Sequence, residues 1–164
     1  MTAARAAIRD DDWRPTASPA ALARRAEIAA TVRAFFAARG VLEVETPLLS
    51  AAATPEPHLH SLAAVDPAEA RGADGGGRTW WLATSPELHM KRLLAAGSGP
   101  IWQLFRAVRG GEGGRRHNRE FTLLEWYRPG WDHLRLIDEV EELLAEVLGE
   151  GARPGRAADP TPAL

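Results

Sequence analysis

The chain has 164 residues, of which 45% are hydrophobic and 26% charged, the profile of one globular domain or a part of one. At this length folding buries roughly 70% of the surface an unfolded chain exposes, so neither disulfides nor a structural metal is required. The sequence contains no cysteine, which excludes thiol catalysis, cysteine-ligated zinc and disulfide frames and fits a cytoplasmic setting, while a net charge of −2 argues against a dedicated phosphate-backbone binder. No signal peptide or membrane span is expected, because the start is polar and no run of about 18 apolar residues occurs.

Residues 1–17 read as a loosely held arm. Folded structure is expected from Ser18, a good helix cap followed by Pro19, with Leu22, Ala26, Ala29, Val32 and Phe36 at helical spacing until Gly40. Val41 to Pro47 alternates apolar and acidic residues as an edge strand does. Residues 51–79 form a loop with one short strand across 59–65, and residues 79–84 a further strand. Ser85-Pro86 repeats the cap-plus-proline signal for a helix through Leu94, closed by Gly97.

Residues 101–109 and 120–128 are strong strands joined by a Gly- and Arg-rich loop, giving a long-tipped hairpin. A last helix starts at the cap Asp132 with Leu136, Val140, Leu144 and Val147 or Leu148 on its apolar face, and residues 150–164 read as a disordered tail. Charge is segregated: six Arg face three Glu between residues 101 and 130, whereas residues 132–150 hold seven acids against Arg135.

The hairpin carries the chemistry. Alternation along its second strand places Phe121, Leu123, Glu125 and Tyr127 on one face and Glu120, Thr122, Leu124 and Trp126 on the other. A carboxylate between apolar neighbours must find a cation or a hydrogen-bond donor, and a ligand can supply either. Arg109, with Arg115, Arg116, His117 and Arg119 in the glycine-rich loop, suits a polyphosphate, because guanidinium forks match phosphate oxygens. A solvated hairpin tip is the competing reading. His58 and His60, two apart, lack a third ligand and are read as polar loop residues; no metal site is assigned.

The run Phe105-Arg106-Ala107-Val108-Arg109, followed by His117-Asn118-Arg119-Glu120-Phe121-Thr122-Leu123-Leu124-Glu125-Trp126-Tyr127, resembles motif 2 of class II aminoacyl-tRNA synthetases of the lysine subgroup. Arg39-Gly40-Val41-Leu42-Glu43-Val44-Glu45-Thr46-Pro47 is similar to motif 1, and Thr84-Ser85-Pro86-Glu87-Leu88-His89-Met90-Lys91-Arg92-Leu93 fits the segment between them. The likeness covers residues 13–149. Within the group it is nearest to the stand-alone paralogue of lysyl-tRNA synthetase that modifies elongation factor P, because motif 1 starts close to Met1 and Glu125-Trp126-Tyr127-Arg128-Pro129 has that paralogue's pattern.

The resemblance implies an α+β domain, an antiparallel sheet flanked by helices, spanning residues 18–149 and ending before motif 3. It implies ATP-dependent activation of (R)-β-lysine or lysine and transfer to elongation factor P, with tRNA not expected as a partner. Arg109 matches the arginine that bridges the α-phosphate and the substrate carboxylate, and is the expected catalytic residue. His117 matches a residue near the terminal phosphates, Asn118 stands beside it in the expected ATP site, and Phe121 matches the ring stacked on adenine. Glu87, Glu125 and Tyr127 match the amino acid pocket, Glu87 receiving the amino group. Mg²⁺ ligands and motif 3 are expected beyond Leu164, so the chain by itself is expected to be inactive. Motif 1 implies a homodimer.

Two departures stand out. The family has Arg-x-Glu where this chain has Arg109-Gly110-Gly111, with Glu112 one position late for a role in adenine selection, and Arg119 replaces a usual proline. Two alternatives to the ligase reading are a part of a lysine-tRNA ligase and a non-catalytic dimerisation module.

Overall fold

The computed structural model describes residues 14–66, 79–111 and 113–149, so the expected arm, but for residues 14–17, and the expected tail lie outside the described residues, as does Glu112. Helix α1 (Pro19–Ala38) begins as its sequence predicts, with Ser18 Oγ accepting from the Ala21 N–H at 3.2 Å. Its buried face is Val32, Phe35 and Phe36, while Leu22 is 54% exposed. The expected stripe is therefore corrected at its start: the apolar layer lies behind only the second half of the helix, and Arg24, in the first half, instead donates to the Val147 carbonyl at 2.8 Å.

Gly40 turns the chain with φ 64°, and strand β1 (Leu42–Glu43) follows. It is shorter than the alternation suggested, and Val41, just before it, is the buried residue while Leu42 is exposed. Then come β2 (Leu49–Ser50), β3 (Ala63–Val65), β4 (Thr79–Leu82), α2 (Glu87–Ala95), β5 (Ile101–Val108), β6 (Glu120–Tyr127) and α3 (His133–Leu148). β5 and β6 pair antiparallel, and β1 adds to β5 in parallel; β4 lies antiparallel between β2 and β3 in a second sheet. The α+β layout with antiparallel strands and flanking helices is as expected, with β1 as its parallel addition.

The register Ile101↔Tyr127 through Val108↔Glu120 sorts the hairpin into two faces. Trp102, Leu104, Leu124 and Trp126 face α1 and α3, and Phe36 stacks on Trp102 at 4.9 Å between centroids. α3 corrects the second stripe. Leu143 is buried, with Val147 packed beside it, whereas Leu144 and Leu148 are 36% and 60% exposed. Two apolar stripes share the segment, and the inward one is chosen by Glu139, a carboxylate buried to 3% that the sequence reading missed.

Glu139 accepts from Trp126 Nε1 at 3.0 Å and from the Arg128 guanidinium, whose Nε lies 3.0 Å from each carboxylate oxygen. Arg128 is in turn stacked over Trp131 at 4.5 Å. A buried pair of this kind gives little net stability when intact, but losing one partner strands the other. Glu139→Ala is expected to lower unfolding free energy by about 3–5 kcal/mol in urea melts, whereas the double replacement Arg128→Met with Glu139→Leu is expected to cost far less. Equal losses in the two variants would contradict this.

Candidate functional site

The opposite face of the hairpin carries the expected acids. At the junction of β4 and α2 the expected cap is corrected: Pro86, not Ser85, is the residue before the first helical position and no side chain caps the helix, but Ser85 Oγ accepts the Glu87 N–H at 3.0 Å and donates its own proton to Glu125 Oε2 at 3.3 Å. One hydroxyl thus ties the first turn of α2 to the middle of β6. Tyr127 donates to the other Glu125 oxygen at 2.6 Å. Each oxygen of the carboxylate is thus held by one donor, Tyr127 on the same strand and Ser85 from the β4–α2 junction, which answers how a charged residue stands in an apolar strand. Burial, then the bond to Glu125 and its negative charge, push the Tyr127 phenol well above the ordinary tyrosine range.

Glu87 occupies the first turn of α2, where the helix dipole favours an anion. Its Oε1 receives Lys91 Nζ at 2.5 Å, one turn on. The Glu87 hydrogen bond and charge, followed by the charges of Glu125 and Glu56, raise the Lys91 ammonium above its usual value. Glu56 belongs to the segment after β2, which forms the second wall of a cleft of about 150 Å³ whose first wall is Ala83, Thr84, Ser85 and Glu87.

Arg109 follows β5 at the mouth of the hairpin. Its backbone N–H bonds the Arg119 carbonyl at 2.8 Å, and its Nε donates to the Thr84 carbonyl at 3.2 Å. The guanidinium lies 5.1 Å from the centre of the Phe121 ring. Since Thr84 precedes Ser85, the cation, the ring and the two acids Glu87 and Glu125 are gathered within one short junction. The structure brings together Arg109, Phe121, Glu87, Glu125 and Tyr127.

His117 and Asn118 stand apart from this group. They are exposed at the hairpin tip, where His117 forms a two-way backbone bridge with Gly114. The glycines at the mouth have a local reason. Gly110 N–H meets the His60 carbonyl at 2.6 Å, and a Cβ there would lie 3.1 Å from that oxygen and 3.0 Å from Leu62 Cδ2. Gly111 has φ 76°, a left-handed conformation in which a glutamate would be strained.

The sequence reading missed Ser85 as the link, Lys91 as the partner of Glu87, and Gln103. Gln103 pairs with Glu125 across the hairpin, is buried, and donates through Nε2 to Thr46 Oγ1 at 3.1 Å, while its Oε1 has no partner among the described residues. The Glu-x-x-x-Lys spacing and a lone amide in an apolar strand were the available signals. No group of three or more His, Asp or Glu among the described residues is placed to hold a metal ion, and none of their helices is long and apolar enough to cross a membrane.

Residues 3–158 match the family described as tRNA synthetases class II (D, K and N). The chain is 56% identical over 138 residues to the elongation factor P (R)-β-lysine ligase of Erwinia tasmaniensis, covering 83% of this chain and 41% of that protein. It is 55% identical over 139 residues to the ligase of the same name from Pectobacterium atrosepticum, 83% of this chain and 41% of that one. Against the Vibrio vulnificus ligase it is 53% identical over 139 residues, 84% and 42% respectively. The chain thus spans about two fifths of the length of the curated relatives it matches. It belongs to the class II tRNA synthetase family of the D, K and N type.

Proposed function

We propose that this chain is the part of an ATP-dependent ligase that seats the reacting ends of its two small substrates, (R)-β-lysine or lysine and ATP, for transfer of the aminoacyl group to a lysine of elongation factor P in the cytoplasm. The observation that carries the reading is the convergence of Arg109, held to the Thr84 carbonyl and set over Phe121, on the junction where Ser85 joins Glu87 to Glu125. The relatives named above are ligases of this kind.

In this reading a substrate carboxylate oxygen attacks the α-phosphorus, the bond to the bridging oxygen breaks, and pyrophosphate leaves. Arg109 is the cation next to both anions, and it gains most where charge grows between them. Phe121 offers its ring to adenine, with His117 and Asn118 approaching the outer phosphates from the hairpin tip. Glu87 takes the ammonium nearest the carboxylate, and Glu125, oriented by Tyr127, sets the polarity of the pocket wall. The ε-amine of the acceptor lysine then attacks the acyl carbon, the bond to AMP breaks, and the amine sheds a proton to solvent.

Mg²⁺ offsets the repulsion between carboxylate and triphosphate when bound. Among the described residues no acid group is placed to hold it. α1 and β1, which carry motif 1, are the proposed self-association surface.

Three outcomes test the reading. A chimera in which this chain replaces the matched 138 residues of the Erwinia tasmaniensis relative is expected to catalyse β-lysine-dependent pyrophosphate exchange, while the chain alone is not. Arg109→Ala in the chimera is expected to lower the exchange rate by about 100-fold or more, and a smaller loss would remove Arg109 from the central role. A dead chimera with native-like circular dichroism would refute the ligase reading.

Tyr127 is the single tyrosine, so its ionisation is read directly at 295 nm. Its folded pKa is raised, so the stability it contributes is present below the unfolded pKa of about 10 and declines as pH rises beyond it. Phenolate absorbance is expected to appear only with alkaline unfolding, and Glu125→Gln to bring its onset down toward pH 10. Ionisation near 10 in the folded chain would dissolve the Glu125–Tyr127 pair. Finally, sedimentation at micromolar concentration is expected to give a dimer; a monomer would remove motif 1 as its interface.

A further inference from the structure

The side chain seated on Glu87 is itself a lysine. Lys91 is the only lysine in the sequence, where the other formal cations are arginines, and its ammonium reaches Glu87 Oε1 at 2.5 Å. Resting on the reading of Glu87 given above, we propose that Lys91 is a tethered stand-in for the substrate, holding the ammonium position on Glu87 and leaving it when a diamino acid arrives.

Three features support the exchange. First, the departing and arriving groups are the same kind of primary ammonium, so Glu87 exchanges one cationic partner for another and is never left bare at a helix terminus. Second, the Lys91 side chain is 56% exposed and its four-carbon stem is flexible, so the released ammonium recovers water at once. Third, the charges of Glu125 and Glu56 also favour a cation at this place, whether it belongs to Lys91 or to an arriving amine. A ligand without an ammonium offers Glu87 nothing better than Lys91 already does. The contact therefore selects for amines and lowers affinity for them only modestly, since an exposed i,i+4 pair is a weak competitor.

The lone lysine makes the test direct. Growth on lysine labelled with ¹³C at Cε places one reporter in the full chain. Glu87→Gln is expected to move the Lys91 resonance, and saturating lysine or (R)-β-lysine to move the wild-type resonance in the same direction, with hexanoate, a carboxylate that has no ammonium, without effect. Lys91→Met, checked by circular dichroism, is expected to bind the diamino acids about twofold more tightly in calorimetry.

An unmoved resonance in Glu87→Gln overturns the contact. Heat of binding with an unmoved Lys91 resonance, or weaker binding by Lys91→Met, overturns the exchange while leaving the proposed substrate in place. Binding seen only in Lys91→Met supports the stand-in strongly. Binding in neither protein overturns the exchange and, separately from the resonance shift in Glu87→Gln, counts against the amino acid pocket.

Discussion

The antiparallel register of β5 and β6 is the constraint from which the rest follows. With Ile101 opposite Tyr127 and Val108 opposite Glu120, alternate residues are committed to opposite faces over eight consecutive pairs. A slip of one position would turn Trp126 and Leu124 toward Ser85 and the β4–α2 junction, and Glu125 and Tyr127 into the apolar layer against α1 and α3. The aromatic packing of Phe36 on Trp102 and the buried Glu139–Arg128 pair both oppose that slip, one through apolar contact and the other through the penalty for an unpaired charge. The core therefore does more than stabilise: it fixes which side chains the opposite face presents.

Those side chains are held by polar links that cross between elements. Ser85 is the smallest of them and joins the most. Its hydroxyl has one proton and two lone pairs, and here it accepts from the backbone of α2 and donates to β6. Tyr127 completes the carboxylate from the strand itself. A carboxylate fixed at both oxygens presents a defined field, which is what recognition of a cation requires of a pocket wall. Gln103, opposite Glu125 in the strand register, makes a separate polar link from the hairpin to Thr46 just after the β1 segment.

Much of this was legible in residue order, for reasons that differ by element. The hairpin announced itself through period-2 alternation, and Ser18 and Asp132 announced helix starts through caps whose hydrogen bonds are present, whereas α2 starts one residue later than Ser85-Pro86 suggests, with Pro86 at the cap and no side-chain capping bond. The face of α3 was not legible. Leu143 and Leu144 are adjacent, both continue an apolar series, and only the buried acid at Glu139 decides which one turns inward. A carboxylate in a helix rich in carboxylates carries no mark that it will be buried. Within the candidate site, Arg109, Phe121, Glu87, Glu125 and Tyr127 were readable because motif spacing and strand alternation coincide. The role of Ser85 as a link was hidden, because joining two elements is a property of the packed chain and not of either segment.

The glycines after Arg109 show how a departure from a family pattern acquires a physical meaning. Where relatives of the broader pattern carry Arg-x-Glu, this backbone bends into a left-handed turn at Gly111 and accepts the His60 strand bridge at Gly110. The near contacts that a Cβ at Gly110 would make are backbone oxygen and a leucine methyl, neither of which yields cheaply. The segment that supplies Glu56 to the cleft is thereby fastened to the mouth of the hairpin beside Arg109. Loss of a side chain at one position and gain of a backbone contact at the next are two sides of the same geometry. The wall opposite Glu87 is placed by glycine, and the acid that the broader pattern sets at position 111 has no unstrained conformation there.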